Sequence, residues 1–139
     1  MAMTMHINIV SAEAEIFSDT VTEVYAPAEA GEVGIMPRHT QMLTTLKPGV
    51  VRVVLQGGEE QSFFVSGGIL EVQPHVVTVL SDTALRAADI DESAALEAKT
   101  RAEAAMKDKA SDMDYAKAKT ELLEAVAQIE ALKKVRKKK

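Results

Sequence analysis

Period-two alternation and clustered turn residues dominate the first two thirds of the chain; a helical period dominates the rest. His6-Ile7-Asn8-Ile9-Val10 alternates polar and apolar positions, the pattern of a strand with one face buried. Val50 to Leu55 is almost continuously β-branched or aliphatic, which predicts a strand covered on both faces. Gly57-Gly58 separates it from Gln61-Ser62-Phe63-Phe64-Val65, a hairpin pattern. Gly67-Gly68 leads into Ile69-Leu70-Glu71-Val72, and Pro74-His75 leads into Val76-Val77-Thr78-Val79-Leu80. Turn signals at such spacing predict a β-sandwich or flattened barrel of about nine or ten short strands.

All 7 glycines and all 4 prolines lie at or before Pro74, and residues 89–139 hold 12 alanines. Asp89 is placed to cap a first helix, with Glu92 three residues on. Alanines 95, 98, 102 and 105, with Met106, give that helix a narrow face of small side chains. Ser111 is placed to cap a second helix, with Asp112 and Asp114 at its positive end. Tyr115, Leu122, Val126, Ile129 and Leu132 form its apolar stripe. The short break over 107–111 predicts an antiparallel pair. The expected fold class is therefore α+β, mainly β. A β-sandwich of about ten strands, residues 1–87, is followed by an antiparallel two-helix hairpin, residues 88–139. The first helix carries little apolar mass beyond Ile90, Leu96 and Met106. An alanine methyl contributes far less on burial than a leucine, so the hairpin is expected to be weakly held and able to move.

The chain has 139 residues, a formal net charge of −5 and no cysteine. Disulfides, thiolate metal sites and cysteine nucleophiles are excluded. No apolar run is long enough to span a bilayer, and the first residues lack the pattern of a signal peptide. The acidic balance and 4% aromatic content argue against a nucleic-acid partner. Charge is divided unevenly: residues 1–88 net −6 and residues 89–139 net +1. The end, Lys133-Lys134-Val135-Arg136-Lys137-Lys138-Lys139, reads as a solvated helix terminus, as a patch for an acidic protein surface, or as a contact for nucleic acid or anionic lipid.

Catalytic sets are missing. There is neither a phosphate-cradling GxxxxGK[ST] loop nor a GxSxG elbow. The histidines stand at 6, 39 and 75, too scattered for a zinc site, and His75 reads as a turn residue. Glu29 and Glu32, either side of Gly31, lack the further ligands of a calcium loop. No catalytic residue, metal or cofactor is expected.

Several ordered motifs resemble one family. Met5-His6-Ile7-Asn8-Ile9-Val10-Ser11-Ala12-Glu13 is similar to its first strand and turn. Gly31-Glu32-Val33-Gly34-Ile35-Met36-Pro37-Arg38-His39 is similar to its GELGI-x-P-x-H segment, and Ser66-Gly67-Gly68-Ile69-Leu70-Glu71-Val72 to its SGG[IV]LEV strand. Asp82-Thr83-Ala84 and Arg86 are similar to its exit from the sandwich. The family is the epsilon subunit of bacterial F-type ATP synthase, and the resemblance spans essentially the whole chain.

The resemblance implies a non-catalytic rotor subunit in the central stalk of a proton-translocating enzyme. It would sit peripherally on the cytoplasmic face of a bacterial plasma membrane. The sandwich would bind the gamma subunit and rest on the polar loops of the membrane ring. The hairpin would either fold against the sandwich or extend toward the catalytic beta and alpha subunits and block ATP hydrolysis. Glu32, with Gly31 and Gly34 holding its turn, matches the position facing the ring, unless it is an ordinary loop carboxylate. Ser11 and His39 match positions near gamma, and His39 has an alternative role in shaping a turn. Lys133, Lys134 and Arg136 match the inhibitory end. Members that bind ATP carry [IL]-D-x-x-R-A at the start of the first helix. Here the stretch is Ile90-Asp91-Glu92-Ser93-Ala94-Ala95, with Ala94 in place of arginine, and Arg101 compensates only in part. ATP binding is expected to be weak or lost. The alternatives to the whole scheme are a free-standing interaction module with no link to ATP synthase and, more remotely, an enzyme with an unrecognised polar site.

Overall fold

The computed structural model describes residues 3–108 and 112–137. Seven strands come first: β1 (Met5–Ser11), β2 (Glu15–Ala28), β3 (Gly31–Ile35), β4 (Met42–Leu55), β5 (Glu60–Val72), β6 (Val76–Ser81) and β7 (Ala84–Arg86). A 3-10 turn, Ala87–Asp89, leads to helices α1 (Glu92–Asp108) and α2 (Asp112–Lys137). The strands lie in the order β1-β6-β5-β4-β2-β3, and β1 also pairs with β2. That last pairing closes five strands into a flattened barrel. β1 and β6 run parallel; the other pairs are antiparallel.

The described strands number seven rather than about ten because turn-type residues were absorbed into long strands. β4 runs through Pro48-Gly49, and β5 runs through Gly67-Gly68, in unbroken register with each other. Both glycines of β5 have positive φ, 109° and 131°, and bend the strand without ending it. A Cβ at Gly68 would stand 2.0 Å from the Leu80 carbonyl oxygen. Gly57-Gly58 does make the expected β4–β5 hairpin, where Leu55 N–H donates to Glu59 O and Gly58 N–H to Leu55 O.

Inward positions alternate as the sequence pattern requires. Ile7, Ile9, Val21, Val24, Val51, Val53, Leu70, Val77 and Val79 fill the barrel. Phe17 and Phe63 meet inside with centroids 4.9 Å apart. The Arg86 guanidinium lies over both rings and donates to Ile16 O, fastening β7 where the barrel ends. Ser66, Ser81 and Thr83 tie the β6–β7 turn to β5 through hydrogen bonds of 2.9–3.2 Å.

The predicted double-sided burial of residues 50–55 has a clear origin. Val51 and Val53 enter the barrel core, while Val50 points outward and is covered by the hairpin. There Val50 and Phe64 form a platform with Ala87, Ile90, Ala127 and Ala131, flanked by Leu85 and Leu132. The hairpin is thus folded down on the outside of β4 and β5.

Two expectations for the helices are corrected. The first helix is capped by Asp91, not Asp89: Asp91 Oδ1 accepts from Ala94 N–H at 3.2 Å. Asp89 belongs to the 3-10 turn, and Ile90 follows in extended conformation, plugged into the platform, so the helix starts later. With Ala94 at the third position there is no reciprocal carboxylate. The expected Ser111 cap lies outside the described residues. The second correction concerns α2, whose deepest residues are Ala118, Ala125, Ala127 and Ala131. Tyr115 is exposed, while Leu122, Val126, Ile129 and Leu132 are only half-buried. At about 100° per residue, Ala127 lies about 180° round the helix from Ala118. Helix α2 is therefore a middle layer. Ala127 and Ala131 press on the barrel, while Ala118 and Ala125 face α1, whose own buried residues are Ala95 and Ala102. A helix buried on opposite sides has no single stripe.

Gly68→Ala is expected to destabilise the barrel by about 1–3 kcal/mol from backbone strain alone. Urea unfolding checks it; an unchanged midpoint would contradict the packing described.

Candidate functional site

Polar satisfaction inside the barrel is complete: among the described residues no buried side-chain nitrogen or oxygen lacks a partner. Nor do the described residues contain a cluster of three acidic or histidine side chains able to hold a metal. Candidate sites are therefore on the outer surfaces.

The first is a strip across β1, β6, β5 and β4. Val10 is in register with Leu80, Leu80 with Ile69, and Ile69 with Thr45; two positions along β4, Leu43 stands opposite Glu71. All point away from the core. Leu43 is 71% exposed, Ile69 45% and Leu80 44%. Neighbouring outward aliphatics of this size make this face the candidate contact surface. An open cleft of about 320 Å³ lies at one end, lined by Val10, Ser11, Gly68, Ile69 and Leu80. Another of about 370 Å³ lies at the other end, lined by Gln41, Leu43, Glu71 and Gln73.

Ser11 and His39 thus fall at opposite ends of one face. Ser11 Oγ donates to Ala14 O and accepts from the backbone N–H groups of Glu13 and Ala14, so it builds the turn after β1. His39 follows Arg38, the one non-glycine residue with positive φ among those described. Its Nδ1 lies 2.7 Å from Thr40 O, and Arg38 N–H donates to Pro74 O. This anchors the loop entering β4 beside Leu43. Sequence reading missed the aliphatics, although an apolar Ile69 beside a buried Leu70 breaks the expected alternation.

Glu32 stands exposed on β3, opposite Pro27. Gly31 holds the preceding turn with φ 135°. Gly34 does not share that role. It lies within β3, and the Tyr25 ring passes 3.1 Å from where its Cβ would be. Tyr25 is held on its other side by the Arg52 guanidinium, 4.2 Å from the ring centroid, and Arg52 pairs with Glu60 at 3.0 Å. The Tyr25 hydroxyl donates to Glu23 at 2.6 Å, which raises its pKa above the ordinary tyrosine value, with burial adding to the effect.

The nucleotide-motif positions are not gathered. Ile90 is buried against the barrel and Asp91 is engaged as a cap, while Ala94 is exposed. Arg101 instead lines a groove of about 330 Å³ between α1 and α2, with Ala98, Glu121, Glu124, Ala125 and Gln128. Pairing of residues 98–101 with 121–128 across the groove makes the helices antiparallel. Lys133 is exposed near the end of α2. The side chains of Lys134 and Arg136 lie outside the described residues.

A closed barrel carrying a folded helical hairpin, with exposed aliphatics on the outside of the barrel, is the class of fold that the described residues define. Comparison with known proteins gives the family. Residues 4–87 match the profile "ATP synthase, Delta/Epsilon chain, beta-sandwich domain", and residues 88–133 match "ATP synthase, Delta/Epsilon chain, long alpha-helix domain". The chain is 65% identical over 138 residues to the ATP synthase epsilon chain of Nitrosococcus oceani, covering 99% of both. It is 61% identical over 137 residues to that of Thioalkalivibrio sulfidiphilus, covering 98% of this chain and 97% of the other. A chain in the Euglena gracilis mitochondrial ATP synthase has the same fold, with TM-score 0.83 at 21% identity, over 93% of this chain and 81% of that one. The chain belongs to the epsilon chain family of ATP synthase, and the alternative of an unrelated interaction module is set aside. Among the described residues no helix is long and apolar enough to cross a membrane.

Burial in the interhelical groove raises the pKa of Glu124, and the charge of Glu121 raises it further. A carboxyl whose folded pKa is raised favours the folded hairpin in its protonated form. That stability is fully present below the unfolded pKa and is lost as pH rises through the folded one. Glu124→Gln is therefore expected to protect α2 amides more than wild type at neutral pH, the difference vanishing on acidification. Hydrogen exchange at two pH values checks it; equal protection in both forms at neutral pH would contradict it.

Proposed function

We infer that this chain is the rotor subunit joining gamma to the membrane ring of a bacterial F-type ATP synthase, and that its hairpin is a releasable brake on ATP hydrolysis. The carrying observation is the exposed aliphatic strip on an otherwise satisfied barrel. Leu43, Ile69 and Leu80 would form the centre of the gamma contact, with Ser11 and His39 at its ends. Glu32 on β3 would face the polar loops of the ring. The complex would hold the chain peripherally on the cytoplasmic face of the plasma membrane.

The folded-down hairpin is the released form of the brake. Its hold on the barrel is thin: Ala127 and Ala131 bury small groups, at about 0.8 kcal/mol per methyl-sized unit, alongside Ile90 and Leu132. A latch of this size is open to competition from another surface. Extension would carry Lys133 and the basic end toward the catalytic alpha and beta subunits, where an acidic loop would attract them.

ATP is not a regulatory ligand of this chain in our reading. The absent guanidinium at Ala94 costs about 1.5–3 kcal/mol of phosphate binding, roughly ten- to a hundredfold. The interhelical groove offers Glu121 and Glu124 beside Arg101, which oppose a polyanion. Calorimetry of the isolated chain is expected to show no micromolar ATP affinity; a micromolar Kd would overturn this.

The main test is ATP hydrolysis by the catalytic complex stripped of this chain. Adding back the full chain is expected to inhibit, while a chain ending at Ala88 binds without inhibiting. Ala131→Glu puts a charge against Val50 and Phe64 and is expected to deepen inhibition several-fold by undocking the hairpin. Leu43→Asp is expected to weaken binding of every form. Equal inhibition by the full and shortened chains would remove the brake from the hairpin.

A further inference from the structure

Beside the aliphatic strip, the outer surface of β1 and β2 carries a compact side-chain network. His6 Nε2 lies 2.7 Å from Ser18 Oγ and 3.2 Å from Asn8 Oδ1. Ser18 Oγ donates to Asn8 Oδ1 at 2.9 Å. An amide oxygen only accepts, so the one hydroxyl hydrogen of Ser18 is committed to Asn8. Ser18 Oγ is then an acceptor toward the ring, and the hydrogen between them belongs to His6 Nε2. A neutral imidazole has a single N–H, so Nδ1 is left with a lone pair. Among the described residues none donates to it. The network selects one tautomer and presents a bare acceptor on the surface.

That acceptor shares a face with the strip. His6, Asn8 and Val10 alternate on the outer side of β1, and Val10 is in register with Leu80. At about 3.3 Å per residue, His6 lies roughly 13 Å from Val10 along the strand. A standard interface covers about 800 Å² on each partner, enough to include both. Burial of Leu43, Ile69 and Leu80 supplies attraction without direction, because the hydrophobic effect tolerates sliding. A partner seated only on aliphatics would lack a fixed register. A hydrogen bond with a narrow angular range supplies one.

We propose that His6 Nδ1, held in one tautomer by Ser18 and Asn8, accepts a hydrogen bond from an N–H or O–H donor of the subunit docked on the Leu43–Ile69–Leu80 strip and sets its register. This rests on the assignment of that strip to the rotor partner. His6 is a specificity-determining residue of the contact. Outward on β2 stand Ser18 and Thr20, and on β6 Val76 and Thr78, all uncharged; Asp19 lies opposite Ile7. His75 gives its backbone carbonyl to the His6 N–H. Glu71 lies across β6, in register with Thr78, and Arg86 of β7 is engaged at Ile16 O.

The test is binding of the full chain to the ATP synthase catalytic complex stripped of it, with wild type and variants compared side by side. His6→Phe is expected to bind about three- to tenfold more weakly than wild type, the size of one lost hydrogen bond. His6→Gln, which keeps an acceptor oxygen, is expected to recover part of that loss. Ser18→Ala, which frees the tautomer, is expected to weaken binding less than His6→Phe. His75→Gln is expected to behave as wild type. Equal binding by wild type and His6→Phe, or no recovery in His6→Gln, would overturn the proposal. Absence of wild-type binding would overturn the partner assignment, and this proposal with it. Tight binding that Leu43→Asp abolishes and His6→Phe leaves unchanged would keep the strip and overturn only the role of His6.

Discussion

Closure of the sheet by β1 is the constraint on which the rest depends. This short strand pairs parallel with β6 and antiparallel with β2, and so joins the two ends of the ring. Every strand of the ring then has both edges in use for at least part of its length, and the interior is filled with aliphatic and aromatic side chains. A closed and filled barrel has no central cavity for a ligand. Its capacity for interaction is confined to β3, to the turns and to the outward side chains.

The two outer surfaces lie on the same pair of strands. The first half of β5 and the second half of β4 carry Phe64 and Val50 under the hairpin; the other halves carry Ile69 and Leu43 in the open strip. Gly67-Gly68 and Pro48-Gly49 mark the bend between them. Both bends carry packing constraints: a Cβ at Gly68 would strike the Leu80 carbonyl, and one at Gly49 would lie 2.8 Å from the Pro27 ring. The hairpin dock and the strip are thus set at a fixed angle by backbone geometry. Release of the hairpin would leave the strip in place, as the brake proposed above requires.

Much of this was legible from residue order, because the signals were local. Alternation marked β1, glycine pairs marked the β4–β5 hairpin, and the loss of glycine and proline after Pro74 marked the helical part. What stayed hidden depended on contacts between distant elements. Gly67-Gly68 reads as a turn until its neighbours show a bent, continuous strand. Gly34 reads as a loop residue until the Tyr25 ring is placed against it. The apolar stripe assigned to α2 came from the rule that a surface helix buries one face; the helix instead lies between α1 and the barrel, and alanines at opposite sides take the contacts. The Asp89 cap was a correct residue type at a position displaced by the burial of Ile90. Of the candidate site, Ser11, His39 and Glu32 were legible as motif positions, but the strip joining the first two was not. Outward Leu43, Ile69 and Leu80 look like core residues until register assigns their direction.

Alanine at the two helical contacts would let the hairpin be ordered and yet releasable, as the proposed brake needs. Small side chains let α2 approach both α1 and the barrel closely, so many atoms touch while little apolar area is removed from water. Larger residues at Ala127 and Ala131 would hold α2 farther away or deepen its burial, and either change would shift the balance between the folded and free positions. The α1–α2 contact is built from the same residue type, but both helices lie on one side of the Ala87–Asp89 turn. They can leave the barrel together without breaking their own contact. The plugged Ile90 is the exception, since it sits at the junction and belongs to the platform. Movement of the hairpin as a unit would therefore have to withdraw Ile90 from the platform as well as part the alanine contacts of α2.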